Sequence, residues 1–404
     1  MKTNKRVGRI AQCCSLSLGL LFLGGTGSTS AQNGVVAVLS SVEQNNTTLK
    51  ALRESAEAQK LENRTGIYLA NPEVEFNRLW GSPGAIGNRT DVSVTQSFDI
   101  PTVTGMKSRI AEGRNDMVEW QYKSDRLQIL LDAKLDCIEL IYYNALKKEL
   151  DMRLDHAQAL AGAYKEKLEQ GDVNILEYNK AQLNLATVQG EMSRVDVERN
   201  ALLQNLKRLN GGIAVLLEDA QYGEQAFPLH FDEWYAGAEQ KNPVLAYVRQ
   251  EVEVSRKQVN LSKAMGLPVF SAGYMSEKIV GEHYQGITLG VSIPLWENKN
   301  KVRQAKAAVR AAEFRETDSK QQFYSRLQTQ YEQATGLKAV AAAYRKSIET
   351  LNSTALLKKA LDAGEISLLD YIVEIGLYYE TINRTLEAER DFQKSFAGLS
   401  AVEL

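Results

Sequence analysis

Apolar residues recur along this 404-residue chain with two different periods, and the two periods alternate. From Thr102 to Leu168, leucines and other apolar residues recur at spacings of three and four without an intervening proline, as in an amphipathic helix. A second run of this kind extends from about Trp296 to Leu361. A helix of about 67 residues would be about 100 Å long. The pattern therefore predicts a coiled coil or helical bundle.

Strict alternation of apolar and polar residues, which is typical of strands with one apolar face, precedes each long helical run. The first pair of strands is predicted at residues 73–80 and 91–98, with a loop rich in glycine and proline between them. The second pair is predicted at residues 269–274 and 287–293, with a loop over residues 275–285.

A glycine-centred turn follows each long helical run. Residues 168–178 read Leu-Glu-Gln-Gly-Asp-Val-Asn-Ile-Leu-Glu-Tyr, and residues 361–371 read Leu-Asp-Ala-Gly-Glu-Ile-Ser-Leu-Leu-Asp-Tyr. Gly171 and Gly364 therefore stand at an offset of 193 residues. Glycine between two helical runs is typical of a helix C-cap, so each turn predicts the tip of a helical hairpin. Two such tips indicate a duplicated hairpin.

The order of the predicted elements divides the chain into two structural repeats. Residues 32–212 contain a helix over about 35–68, two strands, and a hairpin with its tip at residue 171. Residues 213–241 form a mixed connector. Residues 242–404 repeat the same order, with the tip at residue 364. The fold class is thus mainly α with a small β part.

The first 31 residues have the pattern of a secretory signal peptide. Basic residues precede an apolar run, and small residues ending at Ala31 resemble a cleavage site. The alternative is an uncleaved membrane anchor, although the run is short for a bilayer span. Cys13 and Cys14 precede most of the apolar run, which argues against lipidation. After cleavage Cys137 alone would remain, and we expect it to be buried.

Composition and motifs exclude several classes of protein. The formal net charge of −2 gives no basic surface for nucleic acid. His156, His230 and His283 lie far apart and lack metal-ligand spacing. The sequence shows neither a phosphate-binding loop nor a nucleophile elbow. We therefore expect no catalysis, no cofactor and no metal site. No further stretch is apolar enough to predict a transmembrane helix.

Four strands cannot close a barrel within one chain. Their alternation nevertheless predicts one face in lipid and one face in water. Three copies would supply twelve strands, an even number that suits a closed transmembrane barrel. Six long helical hairpins would then stack below the barrel.

In these features the sequence resembles the TolC family of outer-membrane efflux proteins, with the heavy-metal efflux subgroup favoured. The resemblance rests on the duplicated tip, on Asn71-Pro72 and Leu267-Pro268 before the outward strands, and on Ser-Ile-Pro-Leu-Trp over 292–296. It implies a homotrimer with a β-barrel in outer-membrane lipid and a periplasmic α-barrel. It also implies two partners, a periplasmic adaptor and an inner-membrane pump of the resistance-nodulation-division type.

The resemblance implies an acidic ring at the periplasmic entrance. Asp370 matches the family's gate position, and three copies near an axis would raise each other's pKa and attract cations. Glu374 and Glu177 are weaker gate candidates, because the family's second acid aligns with Val373. The alternative for these residues is a solvated carboxylate at a helix start.

Two further sets of residues have predicted roles. Six tip residues are expected to contact the adaptor: Gly171, Asp172, Val173, Gly364, Glu365 and Ile366. Among them, Val173 and Ile366 would expose apolar side chains, which often mark a partner site; the alternative is that the glycines serve only as C-caps. Five aromatic residues at strand ends would form a girdle at the membrane interface, with ordinary packing as the alternative: Trp80, Phe98, Tyr274, Tyr284 and Trp296.

The leading hypothesis is therefore a passive outer-membrane exit duct of a tripartite efflux pump, with heavy-metal cations as one class of cargo. A duct for protein secretion is the first alternative. The second is a secreted, soluble coiled-coil scaffold that never enters a membrane.

Overall fold

The computed structural model describes residues 28–223, 226–296 and 298–404, and the side chains from residue 34 onward. Most of the predicted signal peptide therefore lies outside the described residues. Within these ranges, every helix is too short or too polar to cross a bilayer. The elements in chain order are α1 Ser28–Asn45, α2 Thr47–Glu62, β1 Glu73–Trp80, β2 Asn88–Phe98, α3 Pro101–Gln170, α4 Ile175–Leu209, α5 Phe231–Lys241, α6 Pro243–Ala264, β3 Val269–Ile279, β4 Glu282–Ser292, α7 Lys301–Thr350, α8 Thr354–Asp362 and α9 Leu368–Leu399.

Helix α3 is the long helix that the sequence predicts. It has 70 residues and begins with Pro101 in its first turn, where a missing backbone N–H costs nothing. Its length is about 105 Å. It packs along α4 to form the first hairpin, and it also contacts α6 and α9. The mainly α fold with a small sheet is thus confirmed.

The second long helix is interrupted, so the prediction of one helix from about Trp296 to Leu361 is wrong. Helix α7 begins at Lys301 and ends at Thr350, and α8 begins at Thr354. Between them, the Asn352 side-chain oxygen accepts hydrogen bonds from the Thr354 hydroxyl (2.8 Å) and backbone N–H (3.3 Å). Asparagine and serine side chains compete in this way with helical hydrogen bonds.

The duplication extends one helix further than the sequence pattern indicates. The predicted helix over 35–68 is divided by Asn46, whose side-chain oxygen accepts from the Leu49 N–H at 2.8 Å. Asn242 caps α6 through the Leu245 N–H at 2.9 Å. Helix α5, within the predicted connector, therefore precedes Asn242 as α1 precedes Asn46. Helix α2, the second part of that predicted helix, ends at Glu62, before the predicted end at about residue 68.

The four strands form one antiparallel sheet in the order β1-β2-β3-β4. Strand β1 has its predicted bounds, and β2 begins three residues early at Asn88. The predicted loop over 275–285 is wrong, because β3 and β4 continue through it and only Val280 and Gly281 turn the chain. Gly281 has a φ of 87°, which glycine adopts without strain.

Two equivalent buried clusters join the helices below the sheet. The first contains Val42, Leu130 and Leu206. The second contains Ala238, Phe323 and Leu399, which lie at the repeat offsets of 193 or 196 residues. Each cluster packs a short helix against a long hairpin. The first also buries Cys137 completely, as predicted, and burial raises the pKa of its thiol to about 12.

Candidate functional site

The strand register segregates apolar and polar side chains onto opposite faces of the sheet. We call the face that carries Trp80 and Tyr274 the apolar face. Ile287 and Leu289 on this face are 82% and 80% exposed. The twelve apolar members of this face are Val74, Phe76, Trp80, Val92, Val94, Phe98, Phe270, Ala272, Tyr274, Ile287, Leu289 and Val291. The apolar face is therefore uncovered on all four strands of one chain.

The opposite face, here called the polar face, is acidic. The Arg89 Nε lies 2.9 Å from the Asp91 carboxylate and 3.1 Å from that of Glu277. This arginine is the only basic side chain on the polar face of the described strands. Five carboxylates accompany it: Glu73, Glu75, Asp91, Glu277 and Glu282. A pore lined by this face would favour cations.

The predicted aromatic girdle is only partly consistent with the strand register. Trp80 and Phe98 end their strands on the apolar face, and Trp296 lies just beyond β4 with 80% exposure. Tyr274 is on the apolar face but in the middle of β3, so its predicted place at a strand end is wrong. Tyr284 lies on the polar face and cannot belong to a lipid-facing girdle.

Both hairpin tips have the same backbone conformation. Gly171 has a φ of 83° and donates its N–H to the Leu168 carbonyl at 3.1 Å. Gly364 has a φ of 72° and donates to the Leu361 carbonyl, also at 3.1 Å. The left-handed conformation at each position explains why glycine ends both helices.

Alanine at either tip glycine is expected to destabilise the protein by about 1 kcal/mol, because an L-residue is strained in the left-handed region. The measurement is the midpoint of urea unfolding for Gly171→Ala and Gly364→Ala. Gly162→Ala is the matched control, since Gly162 lies inside α3 with open space around it. That variant should be slightly more stable than the wild type. Equal effects at all three glycines would contradict the assigned conformations.

The tip valine and isoleucine are less exposed than predicted. Val173 packs against the cluster around Tyr164, and Ile366 packs against the cluster around Tyr371. Both side chains are half-buried, so the prediction that they are exposed is wrong. Apolar exposure at the tips is found instead in the first turn of each returning helix: Leu176 is 65% and Leu369 is 49% exposed. Asp172 and Glu365 are exposed beside the tip glycines.

In one chain, Asp370 forms a capping box at the start of α9. Its N–H donates to the Ser367 hydroxyl at 3.2 Å, and its carboxylate accepts from that hydroxyl at 2.6 Å and from the Ser367 N–H at 3.2 Å. These hydrogen bonds hold the pKa of Asp370 below its ordinary value. The predicted rise in the pKa of Asp370 applies to three copies around an axis and not to one chain. Glu177 follows the corresponding cap residue Asn174, and Glu374 is exposed one turn beyond Asp370.

A histidine contact that the sequence did not indicate joins the two hairpins. His156 of α3 lies between two tyrosines of α9: its Nε2 is 2.7 Å from the Tyr371 hydroxyl, and its Nδ1 is 3.3 Å from the Tyr379 hydroxyl. One turn away, Arg153 stacks 4.4 Å from the Tyr379 ring and donates to the Asn383 side chain at 3.0 Å. A cleft of about 690 Å³ opens beside these side chains.

Acidification is expected to weaken this contact. Burial, followed by the charge of Lys358, lowers the pKa of His156 below its ordinary value of 6.5. The stabilisation is therefore complete above pH 6.5 and is lost as the pH falls through the lowered pKa. We expect the melting temperature to fall between pH 7 and pH 5, and His156→Gln to reduce that fall. His230→Gln, at an exposed position, is the control. Identical pH profiles for both variants would contradict the assignment.

Solved structures define the class of fold. Over 95% of both chains, the protein superposes on the channel protein CusC with a TM-score of 0.78 and 13% identity. It matches the outer membrane protein VceC of Vibrio cholerae with a TM-score of 0.73 and 12% identity, over 92% of this chain and 97% of that one. The outer membrane channel MtrE of Neisseria gonorrhoeae matches with a TM-score of 0.71 and 12% identity, over 91% of this chain and 88% of that one. The chain has the fold of these outer-membrane channel chains.

One curated relative adds a likeness in sequence. Over 238 residues, the chain is 26% identical to the alkaline protease secretion protein AprF of Pseudomonas aeruginosa. The match covers 54% of this chain and 49% of AprF, about half of that protein. No family model matches the chain.

Proposed function

We propose that the protein belongs to the TolC family and forms an outer-membrane channel that serves as a passive exit duct. The observation that carries the proposal is the uncovered apolar face of the sheet, backed by an acidic polar face and attached to a helix about 105 Å long. An apolar face on four exposed strands requires a cover, and lipid provides one. The proposed role is transport without catalysis.

Closure of the sheet requires more than one copy. Strands β1 and β4 are the edges of the sheet, and their outer backbone groups have no strand partner among the described residues. In a bilayer every such group must be satisfied, which only a closed barrel achieves for strands. Three copies joined edge to edge would give twelve antiparallel strands. The homotrimer is therefore the proposed assembly, with outer-membrane lipid against the apolar face.

The helical hairpins would extend into the periplasm, with their tips towards the inner membrane. The six tip residues named above remain the proposed contact with a periplasmic adaptor, to which we add the exposed Leu176 and Leu369. The adaptor would connect the duct to an inner-membrane pump of the resistance-nodulation-division type. Asp370, with Glu374 and Glu177 as weaker candidates, remains the proposed gate.

Planar-bilayer recording of the purified protein tests the duct and its gate. We expect discrete channels that prefer cations, because the polar face is acidic. If Asp370 rings the entrance, Asp370→Asn lowers the cation preference. If Asp370 only caps α9, the substitution lowers stability and leaves the selectivity unchanged. Absence of channels from membrane-inserted protein would contradict the proposed duct.

The cargo has two candidate classes. Small efflux substrates, with heavy-metal cations among them, follow from the sequence resemblance and suit the acidic polar face. Protein secretion is favoured by the likeness to AprF. A deletion strain distinguishes them: growth would become sensitive to zinc, cobalt, copper, bile salts or dyes in the first case. In the second case, proteins would disappear from the culture medium while growth stays unchanged.

A further inference from the structure

The apolar face becomes more polar towards the hairpin turns, and one cross-strand row there is basic. Arg78 on β1 pairs with Thr90 on β2, Thr90 pairs with Lys278 on β3, and Lys278 pairs with His283 on β4. Direct antiparallel partners point to the same side of a sheet. These four side chains therefore form one row, here called the basic row, on the same face as Ile287 and Leu289.

Near the hairpin turns, basic and acidic side chains lie on opposite faces of the sheet. The apolar face has no acidic residue within the four described strands, whereas the polar face holds Asp91, Glu277 and Glu282 near the same turns. The acids nearest to Arg89 are paired with it on the polar face. Arg78 and Lys278 are exposed, and neither takes part in an ion pair within the described part of the chain. The basic row therefore lacks a partner of opposite charge.

The position of the row identifies the leaflet that it would meet. The row of Phe98, Phe270 and Val291 lies next to the helices, and the basic row lies eight residues further along β2. Eight residues correspond to about 27 Å along a strand, or about 20 Å along the membrane normal at a tilt of about 40°. That height is close to the apolar band of an outer-membrane barrel. Since the helices extend into the periplasm, the basic row lies at the outer surface.

We propose that the basic row binds phosphate groups of the phosphorylated glycolipid in the outer leaflet. This inference rests on the proposed outer-membrane function. An arginine guanidinium can hold a phosphate through two parallel hydrogen bonds, and a lysine adds a point charge. Arg78 and Lys278 stand two strands apart, about 10 Å, so they can engage separate phosphates or opposite sides of one. His283, next to Lys278, adds a further polar contact.

The experiment compares the trimer in three kinds of vesicle: phosphatidylcholine with bisphosphorylated lipid A, with dephosphorylated lipid A, or with phosphatidylglycerol. The measurement is the temperature at which the trimer dissociates on a semi-native gel. Phosphorylated lipid A should raise that temperature most. Arg78→Gln with Lys278→Gln should lose most of the rise, and Arg78→Lys with Lys278→Arg should keep it.

Arg53→Gln with Lys346→Gln is the matched control, because it removes the same charge from exposed helical positions. This control should behave as the wild type. An equal rise with dephosphorylated lipid A, an equal rise with phosphatidylglycerol, or a full rise in the glutamine variant would each overturn the proposal. Failure of the wild type to insert into any vesicle would overturn the proposed function as well, so the two failures are distinguishable.

Discussion

Leu289→Arg is expected to abolish stable insertion of the protein into the outer membrane. Leu289 lies on the apolar face one row from its centre, with Ala272 opposite it on β3, and it is 80% exposed in one chain. If this face meets lipid, each arginine near the bilayer midplane costs about 2–4 kcal/mol. Three copies would bear that cost together, so the assembled trimer should be lost from the membrane fraction after urea extraction.

Thr288→Arg is the matched control for this prediction. Thr288 adjoins Leu289 in the chain but lies on the polar face, because successive residues of a strand point to opposite sides. Arginine there would meet water on the polar face, so the trimer should still insert. If the protein is a soluble scaffold, both exposed positions should tolerate arginine with an effect within about 0.5 kcal/mol. Equal behaviour of the two variants would contradict a lipid-facing sheet.

Tyr371→Ala is expected to weaken the contact between the two hairpins near their tips. Tyr371 is 1% exposed and packs with Leu361 and Ile375, while its hydroxyl contacts His156 of the other hairpin. Removing a buried aromatic side chain costs about 3–5 kcal/mol. We expect faster amide hydrogen exchange in α8, the tip, and the first turns of α9, with the sheet unaffected.

Two other tyrosine variants separate packing from hydrogen bonding. Tyr371→Phe keeps the ring and removes the hydroxyl partner of His156, at a cost of about 1–3 kcal/mol. Tyr378→Ala removes a neighbouring ring that is less buried, so its effect should be smaller. If Tyr378→Ala accelerated exchange as much as Tyr371→Ala, the contact between the hairpins would not depend on Tyr371 as described.

The sequence predicts the features of this fold that depend on local chemistry. Gly171 and Gly364 mark the tips because a left-handed C-cap favours glycine regardless of its surroundings. The length of α3 follows from an unbroken apolar period. The sequence does not indicate the position of the β3–β4 turn, because Ser276, Lys278 and His283 interrupt the apolar alternation, although the strands continue through them.

The features that the sequence does not indicate depend on which segments meet. Tyr284 falls in a predicted loop when β4 is begun too late, so the alternation of sides along the strand is not applied to it. Val173 and Ile366 are covered by helices that are distant in sequence. His156 meets Tyr371 across 215 residues. A polar residue on the inner side of α3, opposite a tyrosine in the second repeat, is the signal that could have indicated this contact.

Surface labelling of intact cells tests the central claim most directly, which is that the hairpin turns of the sheet reach the cell exterior while the helical tips lie in the periplasm. The probe is a membrane-impermeant maleimide, applied to Ala85→Cys in the exposed turn and to Glu365→Cys at the second tip. The native Cys137 is fully buried and should stay unlabelled. We predict that Ala85→Cys is labelled in intact cells and Glu365→Cys only after the outer membrane is permeabilised. Equal labelling of the two positions in intact cells, or labelling of Glu365→Cys alone, would contradict the account.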